Sequence, residues 1–525
     1  MTKLPSPGRM LRRENPRGSE IVLTASWVEF SDFKLNPFIA FTGSFPYFIP
    51  LRVLRSKWYP PTPKLNGTAK FAPYGLRKLQ ALLEKAGREV VVCTPDSLAR
   101  FVGKRTKVVG VSSMDPLGMG FVSRTYTSLL GFRESISAVE FRSLLKILQR
   151  LKRKYGFRLV VGGAGAWQIP RSGLQEKLGV DTVVVGEVEG IARELFEKLL
   201  GGKEVEKVVY ARRAEMEEVP AITQPSLFGV VEITRGCGKG CQFCSPTMRK
   251  FYSFPLKRIL EEAKLNAGAG SRMIILQTDD IFLYRHLPRF VPNRREIVRL
   301  LKEVSRVPGV EYLQIAHASL PPVVYDPKMV EEIAPILVEK SRWKCRGKRV
   351  AAVEVGIETG STRLLEKYMA GKALPLEAKN WSQIVVEAVE ILNENSIYPL
   401  GTIVVGLPGE TEGDLMDTLE LVDGLWGKGI FFVPLLFTSE EDCMLKKARQ
   451  VESKHLGELY WEFFALCWKH NVRVWSPGTE NKLRAVVPPL YPLFYRWRFG
   501  NRVEGAFRIL SGFEDIRPRT IVQKN

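Results

Sequence analysis

Three cysteines within residues 237–244 narrow what this chain can be more than any other feature. The run Val230-Val231-Glu232-Ile233-Thr234-Arg235 is apolar and β-branched and reads as a strand. It breaks at Gly236 into Cys237-Gly238-Lys239-Gly240-Cys241-Gln242-Phe243-Cys244, a glycine-rich loop that can curl. Thiolates spaced CxxxCxxC on such a loop suit a metal cluster held at three corners. No fourth ligand is near, since the next cysteine is Cys345 and the nearest histidine His286. Structural zinc wants four protein ligands, so zinc is the weaker reading.

Apolar strands alternate with helices on both sides of this loop, the pattern of βαβ units around parallel sheets. Upstream, strands are expected at 89–93, 108–112, 157–161 and 182–185, with helices at 73–86, 139–155 and 191–200. They make one doubly wound domain over 71–205, which an early strand at 20–26 can join. The rest of 1–70 reads as an irregular aromatic and basic extension, and 206–227 as a linker opened by a short strand at 205–210. From 228 to 437, six strands ending with 430–436 alternate with helices and make a partial (β/α)6 barrel. Residues 438–525 read as a helical, aromatic cap that closes the substrate channel. The fold class is α/β.

A CxxxCxxC loop after the first strand of such a barrel resembles the radical S-adenosylmethionine (SAM) superfamily. The resemblance implies that Cys237, Cys241 and Cys244 bind a 4Fe-4S cluster whose open iron takes the amino and carboxylate groups of SAM. One electron then cleaves SAM to methionine and a 5'-deoxyadenosyl radical that removes a hydrogen atom. Upstream, FAPYGLRKLQALLEKAGREVVVC, VVGVSSMD, RLVVGGAGA and VVVGEVEG are similar, in that order, to the Rossmann-like cobalamin-binding domain preceding many such cores. This second resemblance puts Ser112 and Ser113 at that domain's Ser-x-Leu signature. It puts Gly162 and Gly163 at the glycine pair lining the pocket for the cofactor's nucleotide tail. The chain departs from the Asp-x-His-x-x-Gly motif of many cobalamin domains: none of its four histidines precedes residue 286. The lower face of cobalt therefore takes no histidine from this domain.

Parallel barrels carry their sites on the loops after the strands. That rule selects Asp279, Asp280, His317, Glu358 and the loop 406–411. The family resemblance adds roles. Asp279 or Asp280 meets the methionine amino group, Glu358 and Ser361 in VEVGIETGS face ribose or carboxylate, and the loop at Gly406 packs near adenine. Plainer readings stand beside these: a helix cap for Glu358, a strand-to-helix turn for 406–409, a structural role for His317. No catalytic residue is singled out. The implied reaction is modification of an unactivated carbon, most often C-methylation through methylcobalamin. The alternatives are carbon–carbon bond or ring formation on a membrane lipid or other large apolar substrate, and tRNA modification. A methylthiotransferase is less favoured, because that family has further cluster cysteines in an N-terminal domain and here only Cys93 precedes Cys237. Expected partners are a small-molecule, lipid or peptide substrate and a low-potential electron donor such as ferredoxin or flavodoxin.

Composition bounds the setting. The 525 residues are enough for two or three cored domains, and 45% hydrophobic with 26% charged residues is ordinary for globular proteins. Seven scattered cysteines exclude a disulfide framework and fit a reducing cytosol. A cytoplasmic protein, at most peripheral to a membrane, is expected. No stretch offers the ~20 apolar residues of a membrane span. The nearest, 35–51, is interrupted by Pro37, Gly43, Pro46 and Pro50 and reads as an aromatic loop, a lid or a membrane-touching patch. The basic N-terminus has no apolar core of a secretory signal. A net charge of +22 suits nucleic acid (not the favoured partner), an anionic membrane surface or an anionic substrate, and equally a heat-adapted surface. The most basic run, 340–349, falls between a helix and the next strand, hence on the barrel face away from the cysteines. Aromatics mixed with arginines near residue 495 suit an interface, though packing of the cap on the barrel is preferred.

Overall fold

A computed structural model describes residues 17–131, 134–476 and 490–511. The basic residues 1–16 and the tail from 512 lie outside the described residues. Near-continuous valine, isoleucine and leucine runs give strands β1 (Ile21–Ala25), β2 (Val90–Val92), β3 (Val108–Ser112), β4 (Arg158–Gly162), β5 (Thr182–Val185) and β6 (Val208–Tyr210). They form one sheet in the order β2-β1-β3-β4-β5-β6, with every pairing parallel. Such strands are apolar throughout because helices cover both faces. Phe141, Leu144 and Leu148 of helix Ile136–Tyr155 line one core, and Leu76, Leu83 and Phe196 of helices Tyr74–Lys85 and Ala192–Leu200 line the other. Helix Ile136–Tyr155 begins about one turn before the expected start, where Ser135 accepts from the Ala138 N–H. The early strand sits inside the sheet, and the strand expected to open the linker is its outer strand β6.

The stretch 35–51 is not an open loop. It folds into short helical turns, with Thr42 buried and Phe45 stacked on Tyr126 at 5.0 Å. Tyr126 belongs to helix Phe121–Leu130, which the sequence pattern did not suggest.

The second unit contains β7 (Val230–Glu232), β8 (Met273–Gln277), β9 (Tyr312–Ile315), β10 (His317–Ala318), β11 (Ala351–Glu358), β12 (Ile397–Val405) and β13 (Phe431–Leu436). Strands β7, β8 and β9 pair in parallel, as do β10 to β13. Ala316 joins the two sets: its N–H donates to Leu276 while its carbonyl accepts from Glu354. Strands β9 and β10 thus act as one, and the result is a six-stranded partial barrel. Its core continues into helices Glu458–Trp475 and Glu504–Ser511, with Trp461 against the rings of Tyr495 and Phe499. Among the described residues, no helix is long and apolar enough to cross a membrane.

Candidate active site

The cysteine loop leaves the carboxyl end of β7 and is held from four sides. Gly236, Gly238 and Gly240 all have positive φ, which lets the backbone curl at alternate residues. A Cβ on Gly236 would lie 2.8 Å from the Lys250 carbonyl oxygen. Lys239 is buried, its ammonium donating to Asp280 and to Ser319 Oγ at 2.7 Å each. Its carbonyl accepts from Gly371 at 2.9 Å, and the Gln242 N–H donates to the Tyr368 carbonyl at 2.8 Å. Gly371 has no room for a side chain, since a Cβ would sit 2.4 Å from the Lys239 oxygen. The Leu445 N–H closes the last side on the Gln242 carbonyl.

Cys237, Cys241 and Cys244 are half-buried and free of disulfides. Burial pushes the Cys237 thiol up to about 11, and Cys244 rises well above the ordinary value through burial and its neighbouring cysteines. Thiols held protonated by burial become good ligands once a cation replaces the proton. Among the described residues no three His, Cys, Asp or Glu side chains converge on one metal ion. A cubane does not require that, because each thiolate takes a separate iron. The donor set fits such a cluster.

The strand-end acids divide into two groups. Asp280 is buried, and its carboxylate is spent on Lys239, Ser319 and the Phe282 N–H. Asp279 accepts from the Gly236 N–H at the root of the cysteine loop, and burial raises its pKa. Glu358 closes β11 at a bulge with φ of 68°, a strained conformation for a residue with a side chain. It caps no helix: Lys372 Nζ lies 3.1 Å and Thr402 Oγ1 3.3 Å from its carboxylate. Burial lowers the Lys372 pKa, but Glu358 and Cys241 outweigh it and hold the ammonium above its ordinary value. Ser361 is the cap, accepting from the Leu364 N–H and donating to Asp414 at 2.6 Å, with no exposed surface. Gly406 donates to Glu410 at 2.6 Å, and Tyr460 of helix Glu458–Trp475 donates to the same oxygen at 2.7 Å. His317 is pinned between the Thr278 carbonyl and Glu354. Lys372 and Tyr460 lie in no motif, and Lys239 fills an unspecified position of the cysteine motif, so only proximity in the fold shows their roles.

The first sheet contributes the facing wall. Ser112 and Ser113 lie at the end of β3, and Gly162 and Gly163 at the end of β4. The Ser113 N–H donates to the Gly162 carbonyl at 3.0 Å. Gly163 has φ of 95°, and a Cβ there would lie 2.7 Å from the Ser113 nitrogen. Gly162 stays open, with nothing nearer than the Val184 oxygen at 3.9 Å. Ser113 Oγ donates to Glu29, which also accepts from the Met114 N–H. Glu29 follows β1, so this carboxyl bridges β1 and β3 where the strand order reverses, the place where such sheets bind ligands.

The loop after β13 joins the two walls. Arg124 donates to the Phe437 carbonyl at 2.6 Å, and Arg171 to Ser439 Oγ at 2.9 Å. Phe121 meets Phe243 of the cysteine loop edge-on at 6.4 Å. Glu440 lies between Asp115 of the first domain and Arg249 beyond the cysteines, and burial pushes it up to about 8. The carboxyl edge of the sheet and the mouth of the barrel therefore face each other.

A cysteine-bearing parallel half-barrel opposed by a doubly wound sheet is a defined class of protein. Residues 231–422 match the model of the Radical SAM superfamily. The chain therefore carries a radical SAM domain over those residues. Its fold is shared with the radical SAM methyltransferase TsrM from Kitasatospora setae, solved with cobalamin and a 4Fe-4S cluster bound. The TM-score to that structure is 0.50 at 16% identity, covering 79% of this chain and 72% of that one. A second TsrM structure, with tryptophan substrate and a SAM analogue, gives 0.51 at 17% identity, covering 79% of this chain and 73% of that one. Among curated proteins, the ribosomal protein uS12 methylthiotransferase RimO of Acetivibrio thermocellus is 25% identical over 54% of this chain and 60% of its own length. The tRNA-2-methylthio-N(6)-dimethylallyladenosine synthase of Wolinella succinogenes is 29% identical over 37% of this chain and 41% of its own. The chain thus spans about half the length of these curated relatives.

Proposed function

We propose that this is a cobalamin-dependent radical SAM enzyme that modifies an unactivated carbon, with C-methylation as the reaction. The carrying observation is the opposition of the two walls: three half-buried thiols on one side, and the open edge at Gly162 and Gly163 on the other. A 4Fe-4S cluster on Cys237, Cys241 and Cys244 would supply the electron for SAM cleavage, and cobalamin against the first sheet a methyl group. The chain's own residues do the rest. Lys239, Asp280, Ser319 and Gly371 fix the loop so that the thiols need little reorganisation. Asp279 would be the acid left to accept from the methionine ammonium, and Glu358 with Thr402 would meet the ribose hydroxyls. Lys372 places a buried cation beside Cys241. Phe121, Phe243 and the loop after β13 keep bulk water from the gap.

The curated relatives favour a second reading, methylthiotransfer to RNA or protein. A further upstream cluster would need cysteines, and Cys93, alone before Cys237, is fully buried. Anaerobic purification with cobalamin supplied, followed by iron, sulfide and cobalt analysis, separates the readings. The proposal expects about four irons and one cobalt per chain, with iron lost in Cys244→Ala. Iron without cobalt removes the cobalamin proposal. About eight irons, two clusters, favour methylthiotransfer. No iron removes both.

A further inference from the structure

Two stretches that the radical chemistry does not use, the aromatic segment 35–58 and the basic run 340–349, are joined through Arg342. Arg342 donates to the backbone carbonyls of Lys34 and Leu35, tying the start of the aromatic segment to the barrel. Past Arg342 the chain forms a two-stranded hairpin, Lys344–Cys345 against Lys348–Arg349. Cys345 is its buried foot, with the thiol toward the Val474 carbonyl. Lys344, Arg346, Lys348 and Arg349 are all exposed. Arg349 donates to the neutral Glu339 carbonyl and makes no ion pair among the described residues.

The aromatic segment that Arg342 ties to the barrel exposes large apolar side chains. Ile39 is 39% exposed, Val53 46%, Trp58 46% and Phe48 63%. Phe33, Leu54 and Tyr59 of the same segment are buried in the core of the first domain. Helix Leu51–Lys57 shows the division. Leu54 points inward, and Arg55 pairs with Glu140 over the Trp27 ring, while Arg52, Val53 and Lys57 face solvent. The Tyr47 N–H reaches the Glu134 carbonyl, and Arg498 lies against Gly131 on the other side of the same turn. Helix Leu490–Phe499 there presents Trp497, 81% exposed.

Nucleic acid would take the cations and stack on Trp58, but it offers nothing to Ile39 and Val53. A bilayer with anionic headgroups takes both, lysine and arginine at the phosphates and apolar side chains at the acyl boundary. We propose that this face docks on an anionic lipid bilayer, with the hairpin at the headgroups and Ile39, Phe48, Val53 and Trp58 below them. The hairpin precedes β11, at the barrel end away from the cysteines, so docking leaves the mouth clear.

Flotation of the full-length protein with phosphatidylcholine vesicles, with and without phosphatidylglycerol, tests this at low and high salt. The protein is expected to float with the anionic vesicles, less so as salt rises. Replacing Lys344, Arg346, Lys348 and Arg349 together by Glu should weaken binding by about a hundredfold or more. Ile39→Ser with Val53→Ser and Trp58→Ser should weaken it by about tenfold or more, with iron content unchanged in both variants. Wild-type protein that ignores anionic vesicles, or binds both kinds equally, overturns the proposal. RNA binding that needs the four cations but not the apolar three, without flotation, overturns it too and reassigns the face to nucleic acid.

Discussion

One carboxyl, that of Glu29, ties the ends of β1 and β3 through Ser113 Oγ and the Met114 N–H. Burial pushes it from 4.5 up to about 7. A carboxyl with a raised folded pKa binds its proton more tightly folded than unfolded. Its contribution to stability is therefore full at acid pH, declines as pH climbs from about 4.5 through about 7, and is level above. Glu29→Gln keeps an oxygen for both donors and removes the charge. It should leave stability unchanged near pH 5 and raise it by about 1–3 kcal/mol at pH 8, measured by urea denaturation at both values. Equal effects at the two pH values would show that the charge is not what matters. None of this was legible beforehand. Ser113 stood out for a cofactor signature, whereas its partner lies 84 residues away in an unremarked stretch.

At the scale of elements, legibility followed the strength of periodic burial. The most strongly β-branched strands are the most legible, and 108–112 and 182–185 have the expected bounds. Helix Phe121–Leu130 (FVSRTYTSLL) did not, because its serines and threonines are weak helix formers. Tertiary contacts hold it: Thr125 Oγ1 accepts from the Leu436 N–H at 2.8 Å, and Arg124 grips the loop after β13. Helix Thr362–Tyr368 shows the same limit from the other side. The place of Ser361 in VEVGIETGS predicts a cofactor contact, yet its hydroxyl is occupied at once by the helix start and by Asp414. Ser361→Ala should cost about 1–2 kcal/mol through the lost cap, read as a lower thermal midpoint. Iron content and SAM affinity should stay at wild-type values. A selective loss of SAM affinity without destabilisation would return Ser361 to the binding site.

For the whole molecule, the question is what makes two cored domains act as one. Besides the Arg124 and Arg171 contacts, a second link between them is ionic and buried. Lys78 of helix Tyr74–Lys85 lies 2.9 Å from Glu232 in β7, and Arg235 binds Glu232 and reaches Glu189 of the first domain. Burial works against the Glu232 charge, but Lys78 and Arg235 outweigh it and hold the carboxyl down at about 2. Its contribution is therefore present above the ordinary carboxyl value and lost only as pH falls toward about 2. Glu232 is also five residues before Cys237 on the strand that presents the cluster loop, so this charge couples domain docking to the site. Glu232→Gln leaves Lys78 and Arg235 buried without their shared anion, a loss of about 3–5 kcal/mol. Because the loss falls on the interface rather than on either core, calorimetry at neutral pH should show one transition splitting into two. Iron should remain bound through the first. A single transition shifted down as a whole would instead mean that the two cores unfold together and that the apolar contacts around Phe121 and Phe243 are sufficient to couple them.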